Sequence, residues 1–245
     1  MKVVGLIPAR MASSRFPGKP LALIHGKSMI EHVYRAVSKS PLITQTFIAT
    51  CDPEIESAVS AFGGRAIRTG SHHERASDRC AEALEKLTSS SLSFDIAVMV
   101  QGDEPMTHPD QMAEVLRPFE EQEVSVVNLY SAISTSEAQS MNAVKVVIDQ
   151  RGDALYFSRL PIPGSMGVPT LPTGKQLGLI AFRTTALRTY TQLSPTPYEI
   201  SESVDMLRFI EHGFKIRMQK TSFETIAVDT PDDLAAAERA MSGHR

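Results

Sequence analysis

The sequence has little cysteine: Cys51 and Cys80 are the only two. Two cysteines build no disulfide framework, and neither stands in a CxxC or His-rich spacing that would hold zinc. His72 and His73 precede Cys80 without a second ligand pair, so both thiols are expected to be reduced and structural. Long apolar runs are missing too. The N-terminal run, residues 3–7, stops at Pro8, far short of a signal peptide, and no stretch approaches the roughly 18 apolar residues of a membrane span. The chain is therefore expected in the cytoplasm, without membrane insertion. There is no basic excess: 25 Lys+Arg stand against 28 Asp+Glu, a formal net charge of −3. Nothing favours nucleic acid as a partner. A G-x-S-x-G elbow and a G-x-G-x-x-G dinucleotide motif are absent. The D-x-D metal motif of many glycosyltransferases is broken at Asp103, because Gln101 takes the other position. Gly26-Lys27-Ser28 ends like a P-loop, but that pattern needs glycine where Leu21 stands. His25-Gly26 is read instead as a turn.

What is present suits one α/β domain over 1–245. A chain of 245 residues with 42% hydrophobic residues can bury a sizeable core. Apolar runs at 3–7, 46–50 and 96–100 read as buried parallel strands. Residues 28–38 read as a helix with Met29, Ile30, Val33 and Val37 on one face. A second helix starts at Pro53 with Asp52 as cap and runs to Gly63-Gly64. The alternation predicts a doubly wound, mostly parallel sheet. The second half predicts an inserted, mainly antiparallel portion, with strands at 124–132, 143–148, 177–182, 215–218 and 225–228. Helices are expected at 198–212 and, opened by Thr230 and Pro231, at 232–241. Residues 160–174, rich in proline and glycine, are expected to form a loop that can move.

Four segments carry chemistry. Residues 7–21 follow the first strand, where open α/β sheets bind ligands. Arg10, Arg15 and Lys19 among small residues there suit a polyphosphate. Residues 100–105 end the third strand and place Asp103 to hold Mg²⁺, which takes few protein carboxylates. Residues 227–234 repeat the pattern. Asp232 and Asp233 suit the helix dipole, and Asp229 is free to point at the crevice, so Asp103 and Asp229 can share one ion. Residues 73–79 mix hydroxyl, acid and guanidinium at a helix start. They serve either to contact a base or ribose or simply to cap the helix.

Together these pieces resemble the 3-deoxy-manno-octulosonate (Kdo) cytidylyltransferase family, the CMP-Kdo synthetases. The matching runs are Ile7-Pro8-Ala9-Arg10, Ser14-Arg15-Phe16-Pro17-Gly18-Lys19-Pro20-Leu21, Gln101-Gly102-Asp103-Glu104-Pro105, Asn142-Ala143-Val144-Lys145-Val146-Val147, Ala154-Leu155-Tyr156-Phe157-Ser158-Arg159 and Val228-Asp229-Thr230-Pro231. Each is weak alone; the ordered set is specific and spans nearly the whole chain. The resemblance implies a nucleotide-diphospho-sugar transferase-like fold. It implies attack by the anomeric hydroxyl of an acidic sugar on the α-phosphorus of CTP, with release of pyrophosphate, for lipopolysaccharide biosynthesis. It implies Mg²⁺ on Asp103 and Asp229, and a triphosphate gripped by Arg10, Arg15 and Lys19. Lys19, Arg10 and Asp103 would be catalytic. Gln101 and residues 77–79, with Ser77 and Arg79, would lie near the nucleotide. A homodimer is implied as well.

Three runs depart from the family. It usually has Ser-Gly-Thr-Glu-Arg at 75–79, where this chain has Arg75-Ala76-Ser77-Asp78-Arg79. It has His-Leu-Gly-Ile-Tyr at 176–180, where this chain has Gln176-Leu177-Gly178-Leu179-Ile180. It has Glu-Gln before Leu-Arg, where this chain has Asp205-Met206-Leu207-Arg208. The last two fall around the sugar. CTP is expected to be retained and the sugar to be Kdo or its 8-amino analogue, with Gln176, Glu199, Glu202 and Asp205 as sugar-side residues. The spacing of the three acids puts them along one side of the 198–212 helix, where an ammonium would find them; a solvated acidic face explains the same spacing equally well. Two other readings are a cytidylyltransferase for another acidic sugar, such as a nonulosonic acid, and a non-catalytic CTP-binding regulatory protein.

Overall fold

Buried apolar strands joined by amphipathic helices build the region that carries Arg10, Arg15 and Lys19. The computed structural model describes residues 1–12, 15–164 and 173–242. They divide into two compact units, Met1–Ala113 with Glu224–Arg245, and Glu114–Phe223.

In the first unit β1 (Val3–Pro8) is buried over residues 3–7. A tight hairpin, β2 (Leu23–Ile24) and β3 (Lys27–Ser28), turns at His25 and Gly26, with φ of 48° and 78°. Two left-handed residues match the twist of a two-residue hairpin. Helix α1 (Met29–Lys39) follows and buries Met29, Ile30, Val33 and Val37, the face read from the sequence. Then come β4 (Gln45–Thr50), α2 (Pro53–Ala61), β5 (Ala66–Arg68), α3 (Ala76–Ser89) and β6 (Ile96–Val100). β1 pairs in parallel with both β4 and β6, and β4 in parallel with β5. The strand order is thus β6-β1-β4-β5. The chain winds outward from β1 through β4 and β5, and α3 then returns it to the other side of β1. The order reverses between β1 and β6, and such a switch point opens a crevice beyond the carboxyl ends of its strands.

Helix α4 (Gln111–Leu116) leads into the second unit. Its elements are β7 (Val126–Ser131), α5 (Thr135–Gln139), β8 (Lys145–Ile148), β9 (Ala154–Ser158), β10 (Thr173–Arg183), α6 (Thr184–Gln192), α7 (Pro197–Glu202), α8 (Met206–Glu211) and β11 (Arg217–Lys220). β10 is antiparallel to β7 and to β8, and β8 is antiparallel to β9; β11 runs parallel to β7. The second half is thus mainly antiparallel, as expected. The chain ends in α9 (Pro231–Ser242), which belongs to the first unit.

Three expectations are corrected. The single helix over 198–212 is two helices. Ser203 adopts a left-handed conformation, φ 52°, and closes α7 before α8 begins at Met206. Residues 225–228 form no strand: the Val228 N–H donates to the Asp103 carbonyl at 2.9 Å. Ile226 and Val228 pack instead with Ile24, Met29, Leu234 and Ala237. Strand β10 begins at Thr173, not 177, because Gly174 pairs with Val146 of β8. Of the loop expected over 160–174, residues 165–172 lie outside the described residues. Cys51 and Cys80 form no disulfide. No helix among the described residues is long and apolar enough to cross a membrane.

Candidate active site

Residues 9–12 leave β1, and residues 15–21 fold back against them. The Gly18 N–H reaches the Met11 carbonyl at 3.3 Å, and the Leu21 N–H reaches the Gly18 carbonyl at 2.9 Å, which turns Lys19 inward. Asp52 holds the base of the loop, its Oδ2 accepting from the Met11 N–H at 2.7 Å. As the residue before a helix with Pro53 at its first position, Asp52 was expected to cap α2; its side chain makes no cap bond and serves the loop instead.

Beyond β6, Gly102 brings the second loop against the first. A Cβ there would stand 2.8 Å from Ile30 Cδ1 and 3.1 Å from the Pro8 carbonyl oxygen. Its lack of a side chain is needed for this close approach, not for a sharp turn. The next residue is Asp103. From the opposite side, the Val228–Asp103 backbone bond fixes residues 224–229. Asp233 Oδ2 accepts from the N–H groups of Asp229 and Thr230 at 3.1 and 2.9 Å and from the Thr230 hydroxyl at 2.8 Å. The Asp233 N–H in turn donates to Thr230 Oγ1 at 3.3 Å. This capping box opens α9 and leaves the Asp229 carboxylate facing Lys19.

Three chain segments meet on the Lys19 ammonium. Nζ donates to Asp103 Oδ2 at 2.7 Å, to the Val228 carbonyl at 2.8 Å and to Asp229 Oδ1 at 3.4 Å. Arg15 Nη2 donates to the same Asp229 Oδ1 at 2.9 Å. The Lys19 side chain is 13% exposed, those of Asp103 and Asp229 24% and 23%, and that of Arg15 52%. The two cations and two carboxylates thus form a half-buried cluster with its guanidinium in the open. Arg10 is exposed on the same loop. Gln101 is half-buried, its carbonyl accepting from the Glu104 N–H at 3.2 Å.

The other predicted residues take no part in that cluster. Ser77 is buried in the first turn of α3. Arg79 is buried too, donating to Thr69 Oγ1 at 2.7 Å and to the Gly70 carbonyl at 3.2 Å, so it braces the segment before the helix. Glu82, one turn on, accepts from the Gly70 N–H at 2.8 Å and pairs with His73 and Lys86. Burial pushes its carboxyl up, but hydrogen bonds from Lys86, Gly70 and His73 outweigh that and hold it down at about 2.

In the second unit the three acids do not share a face. Glu199 is buried, bound at 2.7 Å through each carboxylate oxygen by Arg208, whose guanidinium lies 4.1 Å over the Tyr190 ring. Glu202 accepts from the Arg159 N–H at 2.7 Å, the Ser158 hydroxyl at 3.1 Å and the Tyr156 hydroxyl at 3.4 Å. Burial, then the Glu202 charge, pushes the Tyr156 hydroxyl up, which keeps it a donor. Asp205 is half-buried just before α8, its carbonyl accepting from the Arg208 N–H at 3.2 Å. Gln176 donates to Asn128 Oδ1 at 2.7 Å, and Asn128 in turn donates to the carbonyls of Leu177 and Leu179 at 2.9 and 3.1 Å.

Sequence reasoning did not single out Asn128 and missed the roles of Asp52 and Lys145. Lys145 is fully buried and donates to the carbonyls of Ser140 and Ala143, each at 2.7 Å, and of Arg159. Burial, then the Arg159 charge, pushes its ammonium down. A lysine inside the apolar run 143–148 is the signal that could have found it, since a buried ammonium must be fully hydrogen-bonded.

Comparison with known proteins bears on this arrangement. A model of the cytidylyltransferase family matches residues 4–220. A 3-deoxy-manno-octulosonate cytidylyltransferase of Geobacter metallireducens is 42% identical over 255 residues, covering 99% of this chain and 98% of its own. The protein of that name from Parabacteroides distasonis is 39% identical over 248 residues, 97% of each chain. A solved structure of CMP:2-keto-3-deoxy-manno-octonic acid synthetase complexed with CTP matches with a TM-score of 0.91 at 39% identity, covering 100% of both chains.

Proposed function

Because the chain belongs to the cytidylyltransferase family, we propose that it couples CTP to Kdo, giving CMP-Kdo and pyrophosphate for lipopolysaccharide biosynthesis. The observation that carries this reading is the convergence of Arg15, Lys19, Asp103 and Asp229 at the switch point of the parallel sheet. In this reading the chain acts as one cytidylyltransferase domain, as a homodimer in the cytoplasm.

Two carboxylates within reach of one ammonium suit Mg²⁺, which takes one or two carboxylates and shares its remaining sites with water and phosphate oxygens. With only two protein carboxylates, water and the phosphate oxygens of a nucleotide would supply the remaining donors. Asp103 and Asp229 would hold the ion, which when bound neutralises charge on the triphosphate. Arg10, Arg15 and Lys19 bind the phosphates and present the α-phosphorus to the anomeric hydroxyl. The hydroxyl oxygen bonds to the α-phosphorus and gives up its proton to solvent as the bond to pyrophosphate breaks. Lys19 and the two arginines stabilise charge on the departing pyrophosphate, so catalysis is positioning and electrostatics, with no covalent enzyme intermediate required.

On the sugar side, Glu199 and Glu202 already hold internal partners. That favours reading the departures at 176 and 205 as repacking, with Kdo rather than its 8-amino analogue as the sugar. The test is pyrophosphate release from CTP and Mg²⁺ with each sugar in parallel. Turnover of Kdo is expected; turnover of the amino sugar alone would overturn the choice of sugar, and release with neither would overturn the enzyme reading. Asp103→Asn and Asp229→Asn are each expected to lower kcat about 100-fold or more while the fold survives. Near-normal rates in both would remove them from the metal site.

A further inference from the structure

Lys19 stands on the very oxygens assigned to the metal. Its three donors are all in use, on Asp103 Oδ2 at 2.7 Å, the Val228 carbonyl at 2.8 Å and Asp229 Oδ1 at 3.4 Å. Arg15 covers the same Asp229 oxygen at 2.9 Å. We propose that Lys19 is a placeholder cation: it neutralises and holds together the Asp103–Asp229 pair until metal and triphosphate arrive together, then passes to the phosphates as the metal takes the carboxylates. The inference rests on the reading of the two aspartates as metal ligands and adds to it the order in which the charges exchange.

The direction follows from charge. A divalent ion arriving alone must evict an ammonium that is only 13% exposed. The displaced ammonium would then lie beside a dication with no carboxylate to face, which is costly in a site of reduced dielectric. A triphosphate arriving alone would draw Lys19 and Arg15 away and leave two adjacent carboxylates beside a polyanion. When the two arrive together, each cation that leaves a carboxylate finds a phosphate oxygen, and each carboxylate finds the metal. Lys19 thus makes the site respond to the metal–nucleotide complex and resist the free ion. It also keeps the two carboxylates converged beforehand, so that no repulsion has to be overcome when the metal enters.

The test measures free Mn²⁺ by its electron paramagnetic resonance signal, titrated into the protein without nucleotide. Lys19→Gln is expected to bind Mn²⁺ about tenfold more tightly than the wild type, because a positive charge leaves the site. Lys19→Arg keeps that charge and is expected to stay at the wild-type affinity. Thermal melting of each variant confirms that it is folded. Both Lys19 variants should lose turnover, the opposite direction to the gain in metal affinity for Lys19→Gln. Wild-type or weaker Mn²⁺ binding by folded Lys19→Gln overturns the placeholder role. A separate arm keeps that failure distinct from failure of the underlying reading. Asp103→Asn should raise the Mg²⁺ concentration needed for half-maximal pyrophosphate release. If it does not, the metal assignment falls, whatever Lys19→Gln does.

Discussion

Asp52 shows how one residue's local context misleads about its task. It stands directly before Pro53 and a helix, the place of a cap, yet its carboxylate crosses to the Met11 N–H at 2.7 Å. Only the fold brings β1 and β4 side by side and so puts residue 52 beneath the loop that follows β1. Asp52→Ala is expected to raise the KM for CTP about tenfold with kcat little changed, since a hydrogen bond to the loop is worth roughly 1 kcal/mol or somewhat more. Steady-state kinetics checks this, and an unchanged KM would detach Asp52 from nucleotide binding. By contrast, the convergence of Lys19, Asp103 and Asp229 could be expected from the sequence. Each follows an apolar run or precedes a capped helix, positions that face a crevice in this class of fold. Asp233 was correctly assigned to the start of α9, although its grip on Asp229 was not visible, because a capping box fixes a backbone whose side chains point elsewhere.

At the scale of the element, the regular parts were legible and the breaks were not. The burial of β1 and β6 follows from their unbroken apolar runs, and the buried face of α1 from its periodicity. The division between α7 and α8 does not, because nothing in Ser203 itself demands a left-handed conformation. That conformation is imposed where the Arg159 and Glu202 bonds tie the end of β9 to the end of α7. The Glu199–Arg208 pair then joins α7 to α8. Removing one member of a buried pair leaves the other charge without compensation, so Glu199→Ala is expected to cost about 3–5 kcal/mol in urea unfolding. The double variant Glu199→Met with Arg208→Met is expected to recover most of that loss. Equal losses in the single and double variants would show that packing, not charge, governs the site.

For the molecule as a whole, stability should fall in acid through both units. Glu82 in the first and Glu137 in the second are each held at about 2, well below the ordinary glutamate value of 4.5. In each, burial pushes up and is outweighed by hydrogen bonds: Lys86, Gly70 and His73 act on Glu82, and Lys175 and Ser134 on Glu137. A carboxyl with a depressed folded value stabilises fully above its unfolded value and ceases to as pH falls. The loss should therefore run from about pH 4.5 down to about 2. Urea midpoints across that window are expected to fall less steeply in the Glu82→Gln, Glu137→Gln double variant; an equal slope would assign the acid sensitivity elsewhere. The alternation of strands and helices announced a parallel sheet at the front and a looser, antiparallel second half. What it could not announce is that the chain returns at residue 224 to finish the unit it began with.

That return sets a schedule for synthesis. Lys19 and Asp229 are 210 residues apart, which at roughly 5–20 residues per second is about ten to forty seconds of translation. While the ribosome is still extending the chain, the emerging protein has Arg15, Lys19 and Asp103 but lacks Asp229. Until residue 229 emerges, Lys19 has one of its two carboxylate partners. A chain cut short before residue 229 would therefore leave the charge cluster open.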